Sequence, residues 1–440
     1  MCRLTGAAAL LLLLAFPAYS QDSYQVDLSQ IEKEIEKAAD KPYSLGGIVE
    51  FQPTLLGLDR DSAFSRLRFF RDDRGSTFDQ YNFRLRLDGS YKKDIFSLFF
   101  KTDTLARNDF DGWDEDTRVF EAYLSVKPSP VFIVEAGKKV MKWGKGYAWN
   151  PVSFIDRPKN PEDPEEALEG STVATADYIR SFDGPLKTVT LTTALIPVYR
   201  YVNAKFGDLY HTNFASKLYL LAYDTDIDFM VLTGSSRTTR YGFDFSKNLG
   251  TNFEIHGEWA VINNFKSMFI DESGGGFSRE SEAISYLLGL RYLTEKETTY
   301  ILEYYRDGIG FSRDQMKDFF GFVENSYRNF LSTGNDRGLV RGGRLSKGAY
   351  GRPNPMRHYL YFRVSQKEPL DILYFTPALT SIINPTDGSF NLIPELAYSP
   401  MTNLELRLKG AFLVGGKNTD YGEKQNDYRL ELRVRYHFGL

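Results

Sequence analysis

The sequence predicts an all-β fold, a transmembrane antiparallel β-barrel of about 18 strands with short turns at one end and long loops at the other. Alternation is the first observation behind this. In Tyr428-Arg429-Leu430-Glu431-Leu432-Arg433-Val434-Arg435-Tyr436-His437-Phe438, even positions are apolar or aromatic and odd positions are charged or titratable. Successive strand side chains point to opposite faces, so one face of this segment is greasy and the other polar. A soluble sandwich would turn the polar face to solvent. A membrane barrel turns the greasy face to lipid and the polar face to a wet lumen. The number of such segments, and the lengths of the connections between them, select the barrel.

From the N-terminus, the first element is a signal peptide over residues 1–20. Met1, Cys2 and Arg3 open it with one basic side chain, Ala7 to Phe16 is an apolar stretch of secretory length, and Ala18-Tyr19-Ser20 is a small-x-small cleavage site before Gln21. Cys2 is the only cysteine. Cleavage removes it, which excludes disulfides, thiolate zinc sites and covalent c-type haem from the mature chain. Residues 21–42 are expected to form a short helical periplasmic segment, with good helix formers from Ile31 to Lys37 and Pro42 as its stop. The barrel is expected over 43–440.

Strand candidates centre on 44–53, 80–92, 95–105, 117–127, 132–143, 172–182, 187–197, 213–223, 226–234, 238–248, 252–262, 283–294, 298–306, 356–366, 370–381, 389–399, 403–414 and 426–438. Most have the roughly 9–11 residues that cross a bilayer when tilted. Every even-to-odd connection is tight, as at Lys92-Lys93-Asp94, Asp183-Gly184-Pro185 and Glu295-Lys296-Glu297. Most odd-to-even connections are long: 54–79, 106–116, 144–171, 198–212, 263–282, 307–355 and 415–425. A membrane barrel segregates its loops this way, with both termini on the short-turn side. In the longest loop, Met316, Phe319, Phe320, Val323, Tyr327, Phe330 and Leu331 recur at helical spacing. That loop is expected to fold into the lumen or cap the outer mouth, with Arg337, Arg341 and Arg344 as constriction candidates.

Composition agrees and excludes other classes. Mean hydropathy is −0.37, and no later apolar run approaches the ~20 residues of a spanning helix. A formal net charge of −4 over 440 residues points to no nucleic-acid partner. The acidic stretch Asn108 to Asp116 lacks the register of a calcium loop. The four histidines, His211, His256, His358 and His437, have no neighbouring Ser or Asp that stands out, and no G-x-S-x-G occurs, so no catalytic site is assigned. No metal and no cofactor is expected.

Alternation also assigns faces. The inward, pore-lining set is Arg84, Arg86, Asp88, Glu254, Glu258, Arg291, Glu303, Arg407, Arg429, Glu431, Arg433 and Arg435. Charges on the lipid face would cost about 2–4 kcal/mol each near the midplane, which is why they keep to one parity. Inside, they could ladder across strands or build a constriction whose field selects solutes.

Gly137 to Asp156 reads GKKVMKWGKGYAWNPVSFID. Trp143, Gly144, Trp149, Asn150 and Pro151 are expected at the outer rim, where aromatic girdles belong. Over Gly137 to Pro158 the chain resembles proteobacterial outer-membrane porin-like barrels, the alginate-export-type and related families, whose fifth or sixth strand ends in a W-G element followed by N-P. The resemblance implies an outer-membrane channel for small hydrophilic solutes or ions, in contact with lipid and lipopolysaccharide. It leaves a homo-oligomer or a periplasmic partner open. Two other readings compete: a scaffold barrel housing a partner protein such as an exported cytochrome or export-machine subunit, and a carrier for hydrophobic compounds, which would need an apolar lumen.

Overall fold

The computed structural model describes residues 41–72 and 75–439. The signal peptide expected over 1–20, and the segment expected over 21–42 apart from its last two positions, lie outside the described residues. From Tyr43 the chain forms eighteen strands. They are β1 (Tyr43–Leu58), β2 (Thr77–Lys93), β3 (Phe96–Asp109), β4 (Gly112–Ser129), β5 (Phe132–Lys139), β6 (Ser171–Ser181), β7 (Leu186–Val198), β8 (His211–Ala222), β9 (Thr225–Thr233), β10 (Arg240–Asn248), β11 (Phe253–Ile270), β12 (Gly276–Leu293), β13 (Thr298–Arg306), β14 (His358–Gln366), β15 (Phe375–Ile383), β16 (Phe390–Met401), β17 (Leu404–Val414) and β18 (Asn426–Gly439).

Each strand pairs antiparallel with its sequence neighbours. β18 returns to β1, with Phe51 opposite Val434 and Glu50 opposite Arg435. The sheet is therefore a closed barrel without an edge, which satisfies every strand's backbone groups internally. Its outward face carries Phe83, Leu98, Leu191, Phe229, Trp259, Leu408, Leu430 and Tyr436, all exposed. So much exposed apolar surface belongs against lipid.

Two expected loops are strands. Residues 106–116 continue the ladder of β3 and β4 as far as Asp109 opposite Gly112. Residues 263–282 continue β11 and β12 as far as Ile270 opposite Gly276. These hairpins project beyond the lipid-facing band, where outward positions no longer need to be apolar, so the alternation fades while the backbone ladder persists. Asp116 is paired there with Arg118, and Asp111 with Arg68.

Among the described residues the long-connection end carries three α-helices, α1 (Ala63–Phe69), α2 (Arg313–Thr333) and α3 (Arg337–Ser346). Ser312 and Gln315 form a capping box at the start of α2, and Gly334 ends it at φ 74°. Met316, Phe319, Phe320 and Val323 face inward from α2, as their spacing requires, and Leu339 does so from α3. Phe64 of α1 packs on Phe319, Phe70 packs on Phe330, and Arg66 pairs with Glu324. Arg337, Arg341 and Arg344, expected at a constriction, are exposed on α3 instead, with Arg341 donating to the carbonyl of Gly274 in the β11–β12 turn. The segment that folds into the lumen is a different one, residues 140–170 between β5 and β6.

Candidate functional site

Residues 140–170 have no regular secondary structure and fold against the inward faces of the strands. One half of the wall receives them with apolar side chains. Trp143, Val152, Phe154 and Ile155 are buried against Val173, Ala194, Ile196, Ala215, Met230, Leu232 and Ala260 of β6–β9 and β11. Ala148 and Trp149 join a second cluster with Leu287, Ile301, Tyr359 and Tyr361, and this cluster continues into the helices at the barrel's end. Trp149 stacks on Tyr305 with ring centroids 5.2 Å apart. The expected rim position of Trp143 and Trp149 is thus corrected: they are 3% and 8% exposed, inside the barrel. Burying two indoles and a phenylalanine holds the segment by hydrophobic transfer.

Two wall carboxylates anchor its central turn. Glu258 Oε1 accepts from the backbone N–H groups of Lys145 at 2.7 Å and Gly146 at 2.6 Å, and from Asn150 Nδ2 at 2.9 Å. Its Oε2 accepts from the N–H of Val152 at 3.2 Å. Glu303 accepts from the N–H groups of Tyr147 and Ala148, the latter at 2.9 Å, and lies 2.9 Å from His256 Nε2. Hydrogen bonds to a charged acceptor contribute about 1.5–3 kcal/mol each, and the fully buried setting makes their loss costly. Lys159 closes the turn from within, donating to the carbonyls of Gly146 at 2.7 Å and Tyr147 at 3.2 Å. The turn needs glycine. Gly144 sits at φ +99°, and a Cβ on Gly146 would lie 2.0 Å from the Trp149 carbonyl oxygen. That is why the motif reads W-G-x-G.

The other half of the wall is charged, and it grips the acidic end of the segment. Glu162 pairs with Arg429, its carboxylate accepts from Asn391 Nδ2 at 2.7 Å, and its carbonyl accepts from Lys409 Nζ at 2.8 Å. Asp163 pairs with Arg433 at 3.0 Å and Arg407 at 3.4 Å. Glu166 pairs with Arg84 at 2.8 Å. Behind this layer, Glu50 receives Arg435 at 2.7 Å, Arg84 at 3.6 Å and Arg433 at 3.8 Å, while Asp103 receives Arg86 at 2.8 Å.

Burial alone would push Glu162 and Asp163 up. The guanidiniums of Arg429 and Arg433, with the Lys409 ammonium, outweigh it and hold both below the ordinary carboxylate values of 4.5 and 3.8. A carboxylate whose folded value is depressed contributes stability above its unfolded value and loses it as pH falls through the folded one. Acidification below the ordinary carboxylate range is therefore expected to free this end of the segment. Acrylamide quenching of Trp143 and Trp149, in a Trp113→Phe/Trp259→Phe background that leaves only those two of the four tryptophans, should rise as pH falls toward about 3. A pH profile as steep in Glu162→Gln/Asp163→Asn as in the parent would mean that other groups set the release.

The predicted residues divide by place. Glu258 and Glu303 hold the turn, and Arg84, Arg407, Arg429 and Arg433 reach the acidic end. Arg86, Glu431 and Arg435 stand behind them as partners of Asp103, Arg429 and Glu50. Glu254 accepts from Ser246 at 3.1 Å. Asp88 and Arg291 are exposed towards the short-turn end. Sequence reasoning missed Glu50, Lys159, Glu162, Asp163 and Glu166. Besides His256, two of the histidines have structural partners: His358 Nδ1 is 2.7 Å from Tyr304 Oη, and His437 is 3.8 Å from Glu405.

No family model matches the chain, and no curated protein matches it in sequence. Solved structures do match in shape. Wzi of Escherichia coli, a carbohydrate-binding outer-membrane barrel involved in group 1 capsule assembly, aligns at TM-score 0.51 and 12% identity over 98% of this chain and 92% of that one. The Pseudomonas aeruginosa proteins OccK5 (OpdH) and OccK11 (OpdR) align at TM-scores 0.51 and 0.50, with 12% and 11% identity, over 90% of this chain and 98% and 96% of theirs. The fold is that of porin-like outer-membrane barrels. At these identities the likeness is one of fold alone, and no sequence match supports the alginate-export-type resemblance.

Proposed function

We propose that this barrel is a channel of a Gram-negative outer membrane for passive or facilitated diffusion of small hydrophilic solutes or ions, with residues 140–170 as its selectivity element. One observation carries this: the segment meets the charged wall at ion pairs with Arg84, Arg407, Arg429 and Arg433, so any solute passing on that side moves between paired charges. Eighteen strands leave an aqueous interior unless a loop narrows it, and here a loop does. Lipid and lipopolysaccharide meet the outward apolar band, the reading is non-enzymatic, and no cofactor is invoked. A lumen already occupied by its own segment argues against the barrel as a housing for a cytochrome or export-machine subunit. The apolar half of the wall, which could have served a hydrophobic cargo, is covered by Trp143 and Phe154.

The helices across the long-connection end favour a second reading, a barrel that binds carbohydrate as Wzi does. Planar-bilayer reconstitution separates the two. Stepwise conductance with a measurable ion preference supports the channel. A silent wild type, together with a silent variant lacking residues 144–168, would leave the binding barrel.

A further inference from the structure

The outward face of β12–β14 carries a feature that the lumen does not explain. Ser285 and Leu287 of β12, Glu303 of β13 and Tyr359 of β14 are buried on the inward parity. The other parity faces out, and directly opposed residues share a face. Rows can therefore be read across the three strands. Leu290, Leu302 and Phe362 stand side by side, then Leu288, Tyr304 and Leu360, then Tyr286, Arg306 and His358. Towards the long-connection end this face turns from apolar to aromatic to cationic. Tyr304 joins the last two rows: its ring centroid is 6.0 Å from that of Tyr286, and its Oη is 2.7 Å from His358 Nδ1.

Two more arginines join Arg306 above this shelf. Arg357 directly precedes β14, and Arg279 is exposed on the projecting part of β12. Arg306 lies over the Tyr286 ring, 6.0 Å from its centroid, and donates to the Ile284 carbonyl. Arg357 Nε donates to the Gly310 carbonyl at 3.0 Å. Backbone acceptors thus aim both guanidiniums, and each keeps donors to spare. None of the three arginines forms an ion pair among the described residues. Burial, and after it the charges of Arg306 and Arg279, press the Arg357 guanidinium below its ordinary value, so the three sit close enough to repel. Nearby acids do not cancel them. Asp307 is held by Arg352 at 3.2 Å, and Glu280 by Lys266 at 3.7 Å. Counting Glu282 of β12 against the three arginines still leaves a net positive charge. An anion placed among them would relieve the repulsion.

We propose that Arg279, Arg306 and Arg357 form a docking site for the phosphorylated head group of an outer-leaflet glycolipid, diphosphoryl lipid A. Three observations choose this occupant. The shelf faces away from the lumen, so a permeating solute does not meet it. It continues into the lipid-facing band, so acyl chains of a ligand held here lie along Leu288, Leu302 and Leu360. Its cations are guanidiniums with free donors, which take phosphate oxygens in pairs. Basic side chains at a membrane boundary recognise lipid head groups in this way. The inference rests on the outer-membrane placement of the barrel and not on its being a channel.

Native mass spectrometry of the full chain in detergent tests it, with diphosphoryl lipid A and the same lipid stripped of both phosphates as probes. The diphosphoryl lipid should bind at least about tenfold more tightly, and its advantage should shrink as ionic strength rises. Arg279→Gln/Arg306→Gln/Arg357→Gln should remove the preference. Arg279→Gln alone, which breaks no hydrogen bond, should lower it about threefold. Heat-modified gel mobility verifies that both variants are closed barrels. Arg118→Gln, which removes the cation paired with Asp116 on β4, is the control and should change nothing. Equal binding of the two lipids, a folded triple variant that keeps the preference, or an Arg118→Gln variant that loses it equally would each overturn the proposal. So would displacement of the lipid by an equal concentration of inorganic phosphate, which would mark a site for the free ion. Membrane fractionation reads the placement separately. A barrel found in the outer membrane that ignores the phosphates keeps its placement and loses the site. A chain that binds them but is absent from that membrane loses the placement and, with it, this occupant.

Discussion

Replacing Glu258 with alanine should unseat residues 144–152 and open the lumen. Four donors converge on this one carboxylate: the N–H groups of Lys145, Gly146 and Val152, and the amide of Asn150. Alanine leaves all of them facing a buried wall. Each unsatisfied buried donor costs about 1–3 kcal/mol, so the seated arrangement loses at least ~3 kcal/mol even if one donor finds water. That is a large share of any domain's net stability. The barrel has no comparable stake in Glu258, because its ladder runs through backbone groups that the change does not touch. Quenching of Trp143 and Trp149 should approach that of free indole, and conductance steps should grow several-fold, while heat-modified gel mobility still reports a closed barrel. Glu258→Gln should lie between, since one amide oxygen replaces two charged acceptors and its NH₂ faces the donors. A Glu258→Ala variant with wild-type quenching would show that the apolar contacts of Trp143 and Phe154 seat the segment unaided.

What could be read in the chain before folding follows from which forces leave a local mark. Strand number and order are legible because each crossing must satisfy lipid on one face, and the penalty is paid residue by residue. Leu430, Leu432 and Val434 against Glu431 and Arg433 are one instance. The hairpin tips beyond the lipid are not legible. Backbone ladders such as Arg107 opposite Asp114 and Lys266 opposite Glu280 need no apolar face. The tryptophan motif was legible as special but placed wrongly. A Trp at a strand end serves a lipid rim or a lumen turn equally well, and the acceptors that decide lie more than a hundred residues away, at Glu258 and Glu303. A signal did exist. Ala194, Ile196 and Val198 on β7, and Met230 and Leu232 on β9, put apolar residues on the inward parity, so something dry had to cover them. Glu303, flanked on that parity by Ile301 and Tyr305, is a carboxylate in apolar company and asks for donors. Glu162 and Asp163, set among Pro158, Pro161 and Pro164, look like a solvated loop until the cations of β17 and β18 are folded around them.

Arg433→Glu should have the second-largest effect, and it tests the opposite wall. Arg433 lies 3.0 Å from Asp163 and 3.8 Å from Glu50, and is 6% exposed. Removing one member of a buried pair costs about 3–5 kcal/mol, and reversing the charge adds repulsion from both carboxylates. The acidic end of the segment should leave the wall, raising quenching of Trp143 and Trp149 less than Glu258→Ala does, because the anchored turn stays seated. In bilayers the charged half of the wall then gains negative charge, so preference should move toward cations. Asp163→Arg alone should release the same end by repulsion from Arg433 and Arg407. Combining the two reversals recreates one pair but leaves the new arginine against Arg407 and the new carboxylate against Glu50, so rescue should be partial. A coupling of about 1–3 kcal/mol between the two positions is the expected reading. Strict additivity would mean that Asp163 and Arg433 do not act on each other, and that the segment's acidic end is held by Glu162 and Glu166 through Arg429 and Arg84 alone. Selectivity would then belong to the β2 and β18 contacts, and not to the full set of cations on the charged half of the wall.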